Sequence, residues 1–438
     1  VTVKLPRLLL AAALAALSAC SAAPVRTPAG GALPPADEAF LEDLSRRSFL
    51  YFTEQSDPGT GLVLDRARAD GSQMDENHRY IASSASTGFG LTGYCIAAER
   101  GWLPRAEAAA GARRALEFFA DKAAHERGWF YHWLDSRTGE RAWNSEISSI
   151  DTALLLGGVL SAKQCFAGYP EIGALSDRIY ARLDFNWMLN GDPGRLSHGW
   201  RPESGFIKYR WDTHAEAMLL YLLGLGSPSS PLPPGAWRSW ARPGVEYKGL
   251  RYISGAPPLF IHQFSHAWID FRNTSDDGTD WFQNSVLATR ANRAMCVDLA
   301  ERFPGYSPEL WGVTASDGPS GYLAWGGPPA TPDIDGTVVP CAPGGSLMFA
   351  PDLALPALKA MRDYDGGKVY GRYGFADAFN PTTGWVNPDV IGIDVGITLL
   401  SAENLRSGAV WRWFMANKEI KTALRAAGIK PVRPVPVN

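Results

Sequence analysis

The chain has 438 residues, 46 % of them hydrophobic and 20 % charged, with a formal net charge of −3. That balance excludes a disordered or fibrous chain and leaves ample apolar material for a large core. With no Lys/Arg run and no basic excess, nucleic acid is not an expected partner.

The chain opens VTVKLPRLLLAAALAALSACSAAP. Lys4 and Arg7 precede an apolar run, Leu8 to Leu17, of signal-peptide length and too short to span a bilayer. Leu17-Ser18-Ala19-Cys20 reads as a lipobox. Residues 1–19 are therefore expected to be a lipoprotein signal peptide, with Cys20 the site of lipid attachment. An ordinary signal peptide beside an incidental Cys fits the same residues. Loss of Lys4 and Arg7 takes the net charge from −3 to −5. The expected location is exported and anchored through this lipid alone, in a two-membrane cell on the outer membrane facing the periplasm. Residues 20–35 are Ala/Pro/Gly-rich and read as a flexible linker. Residues 36–438 read as one domain, expected to be a monomer, and no later segment approaches 18 consecutive apolar residues.

Four further cysteines, Cys95, Cys165, Cys296 and Cys341, lack CxxC spacing. Export permits disulfides, with three connectivities, but three of the four lie in helical apolar runs, where a buried free thiol is the commoner state.

Apolar spacing predicts helices over 36–53, 86–100, 104–124, 148–166, 172–189, 213–225 and 282–303. Ala236–Arg242 reads as a short helical turn. Further helices begin at Pro351 and Gly396, and 405–416 with 418–427 close the chain. Gly88, Gly90 and Gly93 should admit a neighbouring helix at close range. Strand-like runs are short, Lys208–Trp211 and Val338–Pro340, so a parallel sheet is excluded. The expected class is all-α. Ten to twelve helices in pairs, joined by long aromatic-rich loops, suggest a closed toroid, and no 20–50-residue repeat points to a solenoid.

Much of the aromatic surplus falls in those connections. Trp129, Phe130, Tyr131, His132, Trp133 and Trp143 precede Glu146; Trp200, Phe206, Tyr209 and Trp211 surround Glu203; Trp268, Phe271, Trp281, Trp311, Trp325 and Trp385 follow. Aromatic faces stack on the C–H face of a pyranose, while carboxylates and Arg bind its hydroxyls. Glycoside cleavage needs two carboxyl groups, one protonated and one ionised, and burial among aromatics raises a Glu toward the protonated role. Glu146, Glu203 and Glu216 fit. Ser148/Asp151 and Thr213/Glu216 also have the spacing of N-terminal capping pairs, so Asp151 and Glu216 have a purely structural alternative. His262 and His266 lie at i, i+4 without the Glu of HExxH, which favours hydroxyl recognition or structural hydrogen bonding over metal. Asp270 follows them. Asp317 precedes Gly-Pro in a turn; Asp389 and Asp394 lie in VNPDVIGIDVG, where Asp394 could serve only as a helix cap.

WNSEISSIDTALLLGGVLSAKQ, HGWRPESGFIKYRWDTHAEAMLLYLLGLGSP, PLFIHQFSHAWIDFR, WGVTASDGP, YGFADAFNP and IGIDVGITLLSAENLRSGAVW, in this order, resemble the glycoamylase-like family. That family includes bacterial endo-β-1,2-glucanases and the related domain of cyclic β-1,2-glucan synthases. The resemblance runs from about Phe40 to Gly428. It implies an (α/α)6 toroid and action on a β-glucan, most readily an internal cut of a β-1,2-glucan, without metal or other cofactor. It carries Glu146 and Glu216 as the catalytic pair, with Glu146 assigned here as the acid. Glu203, Tyr209, Arg210, Asp151, His266, Asp317 and Asp394 then line the subsites, joined by Trp143, Trp200, Trp211, Asp270 and Trp325 from the residue reading. One departure stands out: DTHAEA has His214 and Ala215 where Tyr and Ser are expected. A non-catalytic glycan-binding lipoprotein and a glucoamylase-type α-glucan hydrolase are the alternatives.

Overall fold

The computed structural model describes residues 33–432. The expected signal peptide, Cys20 and nearly all of the linker lie outside these residues. Among the described residues the chain is mostly helical. The helices are α1 (Pro35–Glu54), α2 (Ser84–Arg100), α3 (Arg105–Asp121), α4 (Ser149–Cys165), α5 (Pro170–Ala181), α6 (Phe185–Met188) and α7 (Met218–Leu225). They continue with α8 (Phe264–Trp268), α9 (Trp281–Asp298), α10 (Cys341–Gly345), α11 (Pro351–Asp363), α12 (Gly392–Arg406), α13 (Ala409–Ala416) and α14 (Lys418–Ala427). None is long and apolar enough to cross a membrane.

Six helices form the inner packing. α2 packs on α4 and α12, α4 on α7, α7 on α8, and α8 on α12, while α10 packs on α12 and on the 3-10 turn Leu259–His262. α1, α3, α5, α11 and α14 cover this set from outside. The inner helices are apolar on nearly every face, as helices covered all round must be; all eight residues of α7 are buried. The tightest crossing, α2 on α4, needs glycine on both sides. A Cβ at Gly158 would meet the Gly88 carbonyl oxygen at 2.0 Å, and one at Gly88 would meet that of Leu154 at 2.4 Å. Cys95, Cys165, Cys296 and Cys341 are free and buried.

The connections differ from the expectation of irregular loops. They are built from short antiparallel ribbons: 66–68 with 389–391, 81–83 with 133–135, 147–148 with 199–201 and then 205–206, and 316–318 with 321–323. The strand-like runs 208–211 and 338–340 make only single bridges, Ser197 to Arg210 and Val338 to Phe379. Each ribbon residue is individually unremarkable, because two- and three-residue strands carry almost no periodic signal. Three inner helices start directly from ribbon strands: α2 after 81–83, α4 after 147–148 and α12 after 389–391. That arrangement gathers ribbon side chains at the positive, N-terminal ends of these helices, where anions are favoured.

The expected helix 213–225 starts only at Met218. Residues 214–217 form a turn instead, and Thr213 bridges to Ala241. α7 has no side-chain cap. The T-x-x-E spacing therefore does not become a capping box, and Glu216 is left free for other work.

Candidate active site

Two clusters of charge face each other at the ribbon end of the inner helices. The first is built around His132. Residues 131–133 and 145–147 run antiparallel, with the His132 N–H donating to the Glu146 carbonyl oxygen at 2.9 Å. Left-handed backbone at Trp143 and Asn144 turns the chain back into this ribbon. Gly199 then admits the neighbouring strand, since a Cβ there would meet the Ile147 carbonyl oxygen at 2.2 Å. The His132 ring stacks on Trp133 at 3.7 Å, and the Trp133 indole N–H donates to Asp65 at 3.1 Å. His132 Nδ1 lies 3.1 Å from Glu146 Oε1, and Nε2 lies 3.6 Å from Asp151 Oδ1. Arg201 Nη2 donates to Glu146 Oε2 at 3.3 Å.

These contacts set the charges. The His132 hydrogen bond outweighs burial at Glu146 and, with Arg201, holds its carboxyl down at about 2. Burial works against the charge on His132 but is outweighed by Asp151 and Glu146, which lift it to about 9. Asp151 remains above the usual aspartate value, because its burial exceeds the pull of His132 and Ser148. The asymmetry follows geometry: Glu146 has a hydrogen bond to His132 and a second cation, whereas Asp151 is deeper and has only the longer contact. Asp151 also plays its structural part, its N–H donating to the Ser148 hydroxyl at the start of α4. The hydrogen bond from His132 thus draws the Glu146 carboxyl toward its ionised form, which favours Glu216 over Glu146 for the protonated role.

The second cluster surrounds Asp394, in the first turn of α12. Asp394 does not cap that helix. It shares a cavity of about 20 Å³ with Asp377, Cys341 and Thr398, room for about one water. Asp377 Oδ2 accepts from the Asp317 N–H and from Asn387 Nδ2, each at 2.9 Å. Its Oδ1 is buried with no well-formed partner. Burial pushes both Asp377 and Asp394 upward, and the charge of Asp317 adds to the rise at each. Asp317 accepts from Arg66 at 2.9 Å, and Arg66 also lies 3.7 Å from Asp65 and 3.6 Å from Asp389.

Glu216 lies in the turn before α7. No side chain among the described residues hydrogen-bonds its carboxyl, and burial, reinforced by the charge of Asp151, raises it to about 7. Tyr322, opposite Asp317 in the 316–323 hairpin, is 63 % exposed.

Other expected site residues lie elsewhere. Glu203 is exposed and paired with Arg141 at the rim; Tyr209 is exposed nearby. Trp143 is 45 % exposed, with its ring edge-on to Trp133 and His78, as a rim platform would be. The Arg210 guanidinium is consumed by the carbonyl oxygens of Leu189, Arg195 and Asn190. Trp211 is buried behind His198, with its N–H on Ser149. Trp200 tilts against Trp187 on the core side, since successive ribbon residues point opposite ways and Arg201 takes the Glu146 side. Trp325 is buried under the Asp317 hairpin, with its N–H on Ser316. His266 is buried on Ser285, and His262 on Ser254, each serving its own hydroxyl. Asp270 lies beyond the C-terminal end of α8, paired with Arg272. Of the connection aromatics, Trp129, Trp268, Trp281 and Trp311 are fully buried core.

His132, Asp65, Arg66, Arg201, Tyr322 and Asp377 were not singled out as site residues from sequence. His132 was hidden in an aromatic run, and Asp65 and Arg66 in a charged loop. For Asp377 a signal existed, the YGFADAFNP motif. The groove of about 780 Å³ between α1 and α3 contains none of these carboxylates.

The Glycoamylase family model, described as "Putative glucoamylase", matches residues 208–418, a span that contains Glu216, Asp317, Asp377 and Asp394. An exo β-1,2-glucooligosaccharide sophorohydrolase (non-reducing end) of Parabacteroides distasonis is 26 % identical over 431 positions, covering 90 % of this chain. The chain spans 58 % of that relative's length. Among solved structures, the endo-β-1,2-glucanase of Chitinophaga pinensis, in complex with sophorotriose and glucose, superposes with a TM-score of 0.84 at 26 % identity. It covers 91 % of this chain and 99 % of its own. The Hormoconis resinae glucoamylase, at 9 % identity and a TM-score of 0.51, covers 85 % of this chain and 74 % of its own and shares the fold alone. The Glycoamylase family model thus matches just under half of this chain, and the similarity to the C. pinensis enzyme extends over most of it.

Proposed function

We propose that the protein is a glycoside hydrolase that cleaves β-1,2-glucan. The observation that carries the reading is Glu216 in the turn before α7, with no side chain among the described residues hydrogen-bonded to its carboxyl and burial raising it to about 7, together with Asp377 and Asp394 lining one small cavity and raised by burial toward the range where a base works well. Glu216 donates its proton to the departing glycosidic oxygen. Asp394, backed by Asp377, receives the proton of the attacking water or acts on it through one intervening hydroxyl. Glu146, ionised and flanked by His132 and Arg201, binds sugar hydroxyls instead of donating a proton. The linkage follows the C. pinensis and P. distasonis relatives, and the ring of inner helices supports an (α/α)6 toroid.

An internal cut is the primary reading, supported by the 0.84 TM-score to an endo-acting enzyme along nearly its whole chain. Release of disaccharide from the non-reducing end is the second, favoured by the curated relative. Product sizing on linear β-1,2-glucan decides between them: a ladder of oligosaccharides for the first, disaccharide alone for the second. Glucose from starch with no cleavage of β-1,2-glucan would make it an α-glucan hydrolase, and tight binding without cleavage of any glucan would make it a binding protein. Tethering at Cys20 is part of the proposal and is tested by the mass of the mature N-terminal peptide.

A further inference from the structure

His132 has no assigned part in the cleavage chemistry, yet it is the most heavily charged-upon side chain of the first cluster. Both of its ring nitrogens face carboxylate oxygens, Nδ1 at 3.1 Å from Glu146 and Nε2 at 3.6 Å from Asp151. A neutral imidazole has one N–H and one lone pair, so one of these contacts would set a lone pair against an anion. With both carboxyls ionised, only the doubly protonated ring satisfies both. The ring cannot swing away, being stacked on Trp133 at 3.7 Å, while its backbone N–H is fixed to Glu146 and its carbonyl oxygen accepts from the Ser84 N–H.

The charged groups around it agree. Asp65 faces it from the 57–65 loop and adds negative charge. Arg201, on the 199–201 strand, sits on the far oxygen of Glu146, and His198 on the same ribbon is pushed toward its neutral form by burial. With Oε1 turned to His132 and Oε2 to Arg201, Glu146 still has spare lone pairs, and its side chain is 18 % exposed to the cleft. Carboxylate and guanidinium then stand side by side, an acceptor next to a donor. That suits two adjacent hydroxyls of one pyranose ring.

Resting on the hydrolase reading above, we infer that His132 is a positioning residue: as an imidazolium clamped between Glu146 and Asp151, it fixes Glu146 as an ionised acceptor that, with Arg201, binds neighbouring hydroxyls of a glucosyl unit. Its effect falls on substrate binding and on the pH dependence of binding. Proton transfer to the leaving group stays with Glu216.

The test has two arms on the full-length protein. In the first, imidazole NMR at pH 8 is recorded without sugar, with His132 identified by the signal lost in His132→Gln. One doubly protonated ring is expected in the wild type, titrating at markedly lower pH in Glu146→Gln. A neutral His132 at pH 8 overturns the inference, and this arm needs no turnover. In the second arm, sophorotriose binding and steady-state kinetics are measured from pH 8 to pH 5. His132→Gln should weaken binding by about tenfold, the loss of one charge-assisted contact, with the loss growing as pH falls because Glu146 regains a proton. Its kcat at the optimum should change far less than its KM. A His132→Gln variant with wild-type folding and unchanged affinity across that range overturns the inference. If the wild type neither binds nor cleaves β-1,2-glucan, the functional reading fails, and the NMR arm still decides the state of His132.

Discussion

The two sides of the cleft use opposite electrostatics on the same kind of group. Around Glu146 the protein supplies cations, His132 and Arg201, and the carboxyl is held ionised far below its usual range. Around Glu216 it supplies none, and burial, helped by the charge of Asp151, raises the carboxyl to about 7. Asp394 stands between these cases: buried, beside a second aspartate, and raised. The lesson is that proximity of a Glu to aromatics does not decide its protonation. The aromatic company of Glu146 is real, but one histidine ring reverses its effect.

This contrast can be broken by substitution. The largest expected effect is at the side without cations. Glu216→Gln should lower kcat by about 10²- to 10⁴-fold, the range for loss of a general acid, with sophorotriose affinity nearly retained. The loss should shrink on an aryl glycoside whose leaving group needs no proton. A Glu216→Gln enzyme with near wild-type kcat on glucan would remove Glu216 from the chemistry.

Next comes the pH profile. Glu216 must be protonated, so kcat/KM should fall as pH rises through about 7. Asp394 must be ionised, so the rate should also fall on the acid side as that raised group takes up a proton. A rate that climbs steadily to pH 9 contradicts the assignment of Glu216. At the side with cations, Glu146→Gln should act mainly on KM, raising it by about tenfold as one charged hydrogen-bond acceptor is lost. If instead kcat collapses while KM holds, the two sides have been assigned the wrong way round. The smallest effect is at the rim: Glu203→Gln removes an exposed, solvent-screened ion pair with Arg141 and should leave both the thermal midpoint and kcat/KM near wild type.

A separate measurement probes what lies beneath the Glu216 turn. Burial holds His214 and His266 down at about 3 and His262 well below its usual value. An unfolded chain takes up these protons near pH 6.5, whereas the folded one does not. Stability should therefore be full above that pH and decline as pH falls from 6.5 toward 3. Urea unfolding at pH 7 and pH 5 should show the drop, and His214→Phe should reduce its slope.

The helices and the leading acidic residues were legible in the sequence because helical periodicity and the SEISSID and DTHAEA motifs are local. Most helix limits agree to within a few residues. α7 differs because the chain around Thr213 bridges to Ala241, a partner 28 positions away that no local pattern announces, through hydrogen bonds of Asp212 and His214. The same reason hid the ribbons: His132 becomes a site residue only when residues 131–133 lie beside 145–147. Motif membership also overreached. Arg210, Trp211, Trp200, Trp325 and His266 sit within or beside the right motifs, yet they carry the cleft from behind, because alternate residues on a ribbon face opposite sides. Asp394 stood out in IGIDVG, but its neighbour Asp377 comes from a different loop, and only the fold brings the two carboxyls into one small cavity.

The four buried free thiols have a practical meaning. The sequence holds five cysteines, and Cys95, Cys165, Cys296 and Cys341 are reduced and shielded. A thiol reagent added to the denatured, unoxidised protein thus becomes a counter of processing. Four reactive equivalents per chain report that Cys20 carries its lipid or has been removed, and five report a bare Cys20. The same chemistry makes refolding in air hazardous, since thiols never meant to pair are exposed together once the helices that separate them melt.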